Sequence, residues 1–84
     1  MAKVFRLGIY SSDKTIYEGE VASLVVPSVS GYLGVLADHA PLVAKLKPGV
    51  ITFKGNVAGK STAINVQAQG YLEVLRNKAT VILV

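Results

Sequence analysis

The chain has 84 residues, 51% of them hydrophobic and 17% charged, with a net charge of +4. That length gives one domain and excludes two lobes around a cleft, while the apolar content excludes a disordered chain. With no cysteine, and His39 as the only histidine, a disulfide framework, thiolate chemistry and a structural zinc site are excluded too.

Taken from the N-terminus, MAKVFRLGIYSSDK breaks up too early for a secretory signal, and no later apolar run reaches the ~20 residues a bilayer span needs. The expectation is a soluble, intracellular protein. Val4 to Tyr10 alternates, with Phe5, Leu7 and Ile9 on one face and Arg6 and Gly8 on the other, as a half-buried strand does. Ser11-Ser12-Asp13-Lys14 turns the chain, Thr15 to Glu18 makes a short strand, and Gly19 breaks it. Val21 to Val26 then runs into Pro27, its apolar end predicting burial on both faces. Between Ala37 and Lys47 the residues leave helix and strand open. Asp38 suits a helix cap and Pro41 a first turn, with Leu42, Val43 and Leu46 on one side and Pro48-Gly49 as a stop. Val50 to Lys54, Thr62 to Val66, Tyr71 to Leu75 and Ala79 to Val84 form four strands of an antiparallel meander. They are joined at Gly55 to Lys60, Gln67 to Gly70 and Arg76-Asn77-Lys78. Short strands at this rhythm predict an all-β sandwich or barrel. So small a domain buries only about 60% of its unfolded-chain surface, so some apolar side chains stay exposed for a partner.

Several motifs suggest chemistry and fail on their spacing. Gly55 to Thr62, GNVAGKST, resembles a phosphate-binding loop but is one residue short of G-x-x-x-x-G-K-[ST]. The alternating Ser61 to Val66 comes after it where a helix is needed to hold phosphate, so the stretch is expected to be a hairpin loop and no nucleotide cofactor is expected. Ser12-Asp13-Lys14 resembles the lipoyl-bearing Asp-Lys turn, but Lys14 stands too near the N-terminus, and a solvated turn lysine is expected. Asp38 and His39 are neighbours whose side chains point to opposite faces of an extended chain, and no serine has a nucleophile-elbow context. The expectation is a turn aspartate beside a half-buried histidine, with no catalytic residue and no metal site. Phe5-Arg6 and Phe53-Lys54, with the positive charge, raise the alternative of a nucleic-acid-binding β-barrel. Both rings fall on the apolar phase of their strands, which favours core packing.

The central stretch Gly31-Tyr32-Leu33-Gly34-Val35-Leu36-Ala37-Asp38-His39-Ala40-Pro41-Leu42-Val43, followed by Leu46-Lys47-Pro48-Gly49-Val50, resembles the signature of the epsilon subunit of F-type ATP synthases. That family reads G-x-L-G-(I/V)-x-x-x-H-A-P-L and then (I/L)-K-P-G. Tyr17-x-Gly19-x-Val21 and Gly70-Tyr71-Leu72-Glu73-Val74, with Asn77 and Thr80-Val81, resemble its flanking segments. The resemblance spans nearly the whole chain and is to the N-terminal domain, which in the family is a ten-stranded antiparallel β-sandwich. It implies strand for the ambiguous segment. It also implies a non-catalytic central-stalk subunit of a proton-translocating ATP synthase that binds gamma and the c ring, at the cytoplasmic face of a bacterial inner membrane or the stromal face of a thylakoid. Ser11, His39 and Ala44 match gamma-facing positions, and the turn Ser30-Gly31-Tyr32 matches the edge that meets the c ring. Two departures stand out. Tyr32 replaces the acidic residue common there, and the 84 residues stop at Val84, before the family's C-terminal helical hairpin. The resemblance is thus to the short form, whether naturally short or truncated, with no hairpin-based inhibition.

Overall fold

A computed structural model describes residues 3–55 and 60–84. Nine strands form among them: β1 (Phe5–Ser11), β2 (Lys14–Val21), β3 (Ser23–Ser28), β4 (Gly31–Leu36), β5 (Leu42–Leu46), β6 (Gly49–Lys54), β7 (Ser61–Val66), β8 (Gly70–Leu75) and β9 (Lys78–Leu83). The all-β class is as expected, whereas the count is nine in place of ten. The segment from Ala37 to Lys47 supplies only β5. Asp38, with φ at 61°, turns the chain out of both strand and helix just ahead of Pro41.

The strands run in the order β2-β1-β9-β8-β5-β3-β6-β7, with β4 on the other side of β3. Only one residue pair, Ser28 with Leu46, joins β5 to β3, so the sheet folds there into two layers. The first layer is β2-β1-β9-β8-β5 and the second is β4-β3-β6-β7. At Lys47-Pro48 the chain crosses from one layer to the other, as strands do at the corner of a sandwich. The Lys47 N–H, bonded to the Pro27 carbonyl at 2.9 Å, holds that corner. Between the layers lies a single core of Phe5, Leu7, Ile9, Val21, Leu24, Val26, Val35, Leu46, Ile51, Phe53, Val66, Leu72, Val74, Ala79, Val81 and Leu83. The rings of Tyr17 and Phe53 meet across it with centroids 4.3 Å apart.

Three sequence expectations are corrected. Gly19 does not break its strand. It pairs with Leu7 inside β2, and a side chain there would strike the Tyr17 ring, whose hydroxyl lies 2.8 Å from the place of a Cβ. An aromatic side chain covers the glycine two residues on. The bend comes instead at Ala22, so Val21 closes β2, and in β3 Val25 is 38% exposed, against the expected burial on both faces. The last four strands are not one meander either. β6 pairs with β7 and β8 with β9, but β8 takes β5 as its other neighbour. The link from Gln67 to Gln69 carries the chain between the layers. Gly70 can then lie so close to β9 that a Cβ would collide with the Ile82 carbonyl.

Candidate functional site

Two exposed loops at opposite ends of β4 are held by side-chain hydrogen bonds to backbone. At the N-terminal end of β4, Ser28 pairs with Gly31, so Val29 and Ser30 form a two-residue tip. Ser28 is buried, and its hydroxyl needs partners there. It accepts the Ser30 N–H at 3.2 Å and donates to the Gly31 carbonyl. Gly31 has φ at 122°, a conformation that glycine adopts without strain. The Val29 N–H, donating to the Lys45 carbonyl at 3.0 Å, ties the tip to β5. Val29 and Tyr32 are exposed. Tyr32 pairs with Pro27, and Gly49 makes room for the proline ring, since a Cβ on it would stand 2.8 Å from the Pro27 Cβ.

At the other end, residues 37–41 lead from β4 to β5. The Asp38 N–H donates to the Asn77 Oδ1 at 2.8 Å, while the Asn77 Nδ2 donates to the Val4 carbonyl at 3.0 Å. The Arg6 N–H reaches the Asn77 carbonyl at 3.2 Å. Arg76 and Asn77 have φ at 52° and 61°, the type I′ geometry that suits a two-residue hairpin and that asparagine tolerates. The Asp38 carboxylate meets the Lys3 ammonium at 3.4 Å, in a solvent-exposed pair. His39 is half-buried, and its Nδ1–H donates to the Ala40 carbonyl at 2.7 Å. Asp38 and His39 therefore serve different partners, in line with a turn aspartate beside a half-buried histidine.

The structure does not gather Ser11, His39 and Ala44 into one cluster. Ser11 closes the β1–β2 hairpin opposite Lys14. It lies at the same end as the tip, since Tyr10, Ile82, Tyr71 and Lys45 succeed one another across the first layer. His39 is at the opposite end, and Ala44 sits midway on β5, half-buried against the core. Lys14 is exposed at the start of β2. Phe5 and Phe53 are buried, so they offer no platform for bases. Of GNVAGKST, residues 56–59 lie outside the described residues, but the next element along the chain is the strand β7 rather than a helix. A shallow cleft of about 380 Å³ near Ser11, lined by Ile16, Ile64, Ala68, Leu83 and Val84 among others, holds no titratable side chain. Among the described residues no three of His, Cys, Asp and Glu gather around a cation position, and no helix is long and apolar enough to cross a membrane. Sequence reasoning missed Ser28 and the side chain of Asn77. Asn77's place in a two-residue turn was the available signal, while nothing local marks Ser28 as buried.

Residues 4–83 match the family model described as the ATP synthase delta/epsilon chain beta-sandwich domain. The chain belongs to this family. It is 37% identical over 83 residues to the ATP synthase epsilon chain of Dichelobacter nodosus, covering 99% of this chain and 56% of that one. It is 38% identical over 82 residues to ATP synthase epsilon chain 2 of Burkholderia orbicola, covering 98% and 53%. The chain thus spans little more than half the length of these relatives. Among solved structures, a chain of the Euglena gracilis mitochondrial ATP synthase superposes with a TM-score of 0.87 at 23% identity, over 95% of this chain and 50% of that one. A chain from the central stalk and c-ring of the Tetrahymena thermophila enzyme gives 0.77 at 12%, over 98% and 64%. At these identities the structures establish a shared fold. The sandwich expected from the epsilon-subunit signature is what the chain forms, and the family stands in place of the nucleic-acid-binding alternative.

Proposed function

We propose that this domain is a non-catalytic rotor part of a proton-translocating F-type ATP synthase, tying the gamma subunit to the c ring so that ring rotation reaches the catalytic subunits. The observation that carries this reading is the pair of clamped loops at the two ends of β4. The tip Ser30-Gly31-Tyr32 meets the ring, and the His39 loop meets gamma. Between them runs one six-residue strand, about 20 Å at 3.3 Å per residue, buried at Val35 and fixed at each end. Displacement at one loop is passed on rather than absorbed. Ser11 and Ala44 extend the gamma-facing surface along the first layer. No part of the domain enters the bilayer, and it works at the membrane face, in bacteria the cytoplasmic one, as a member of the complex. Bacterial relatives named epsilon chain support this placement.

Isothermal titration of this chain with the gamma subunit of the same synthase tests the reading. Micromolar or tighter binding is expected, with His39→Ala weakening it about tenfold and changing thermal stability little. Absence of association, or salt-sensitive binding to single-stranded oligonucleotides weakened by changes at Arg6 and Lys54, refutes it.

A further inference from the structure

All three non-glycine residues with positive φ among the described residues, Asp38, Arg76 and Asn77, meet at one corner. Backbone in this region costs free energy for a residue with a Cβ and persists only where its surroundings hold it. The Asn77 side chain supplies that hold. Its Oδ1 takes the Asp38 N–H at 2.8 Å, and its Nδ2 gives to the Val4 carbonyl at 3.0 Å. One amide thereby bridges the β8–β9 turn, the lead-in to β1 and the loop after β4, three segments far apart in sequence. The other polar contact to Asp38 is weaker, because Lys3 reaches it at 3.4 Å with both side chains well exposed, and such ion pairs contribute little.

We infer that Asn77 is a positioning residue for the partner-binding loop. It holds Asp38 in the left-handed conformation that aims His39, and so sets gamma affinity without touching gamma. This rests on the reading that His39 faces gamma. The bonds themselves do not.

Three variants of the 84-residue chain test it. Asn77→Gly keeps the turn, because glycine adopts positive φ freely, but removes both side-chain bonds. Asn77→Asp keeps the acceptor for Asp38 and sets a carboxylate against the Val4 carbonyl. His39→Ala calibrates the site. Each is measured by thermal melting, by hydrogen exchange of the Asp38 amide in NMR spectra, and by titration with gamma. Asn77→Gly is expected to melt within a few degrees of the parent, to speed Asp38 exchange at least tenfold, and to weaken gamma about as much as His39→Ala does. Asn77→Asp is expected to keep Asp38 protected and most of the affinity. Unchanged Asp38 exchange in Asn77→Gly overturns the clasp. A tenfold loss with His39→Ala but none with Asn77→Gly overturns its role in binding. If His39→Ala leaves affinity unchanged, the placement of gamma falls, and the positioning role falls with it even where exchange reveals the bonds.

Discussion

At the scale of single residues, the most informative contacts are those a glycine permits. Gly8 points to the outer face of the first layer, and a Cβ there would overlap the Tyr10 ring. Because the ring can lie across Gly8, the Tyr10 hydroxyl reaches Glu18 and donates to it at 2.7 Å. Gly8 and Glu18 are cross-strand partners. The hydrogen bond to Glu18, aided by partial desolvation and the carboxylate's charge, raises the Tyr10 phenol above its ordinary range, although Arg6 pulls the other way. A raised value in the folded state means that the neutral phenol is the favoured form. Its stabilising contribution is therefore full below the unfolded-state value near 10 and is lost as pH climbs through the higher folded value. In an absorbance titration at 295 nm, Tyr10 should ionise above the ordinary tyrosine range. Glu18→Gln, by removing the charge, and Gly8→Ala, by displacing the ring, should lower it toward the ordinary range. A spectrum unchanged by both substitutions would show that the Tyr10–Glu18 bond is not formed in solution.

Among the strands, glycines again separate two kinds of position. Gly34 lies on β4 opposite Val25, with nothing within 4 Å of where its Cβ would be. Gly70 on β8 lies against the Ile82 carbonyl. Gly34→Ala should be neutral or stabilising by about 0.5 kcal/mol, chiefly by restricting the unfolded chain. Gly70→Ala should cost about 2–3 kcal/mol, since a backbone carbonyl cannot move aside as a flexible side chain does. Urea denaturation of the two variants checks both. Most strands were legible in sequence because Phe5-Leu7-Ile9 and Tyr71 to Leu75 alternate cleanly, so their period fixes the buried face. Pairing was less legible. The short link Gln67 to Gln69 reads as a hairpin, and only tertiary packing reveals that it spans two layers, with β5 beside β8. Of the candidate site, His39 and the tip at Gly31 were visible through a specific spacing of Gly, His and Pro. Asn77's side chain was not, because its partners at Val4 and Asp38 are distant in sequence and are backbone groups, which leave no trace in residue identity.

As a whole molecule, the sandwich offers exposed apolar surface of the kind on which proteins dock. Among the described residues ten large apolar ones, including Val29, Leu36, Val43, Tyr71 and Ile82, stay exposed, and the cleft near Ser11 has no charged side chain to receive a phosphate. Titration with a fluorescent ATP analogue should give no saturable signal up to millimolar concentration. Micromolar binding lost in Lys60→Ala would contradict this and return GNVAGKST to consideration as a nucleotide loop. One feature of the architecture also governs how the protein is made. Arg6 to Tyr10 pair in parallel with Lys78 to Ile82, so the first strand of this domain has one of its two neighbours supplied by the domain's ninth. At about 5–20 residues per second, Phe5, Leu7 and Ile9 wait several seconds before β9 arrives to complete their layer. The nascent chain must carry an apolar segment with an open edge until β9 has been made. That interval is where a chaperone has something to hold, and where slow closure of the β8–β9 hairpin would turn into aggregation rather than lost function.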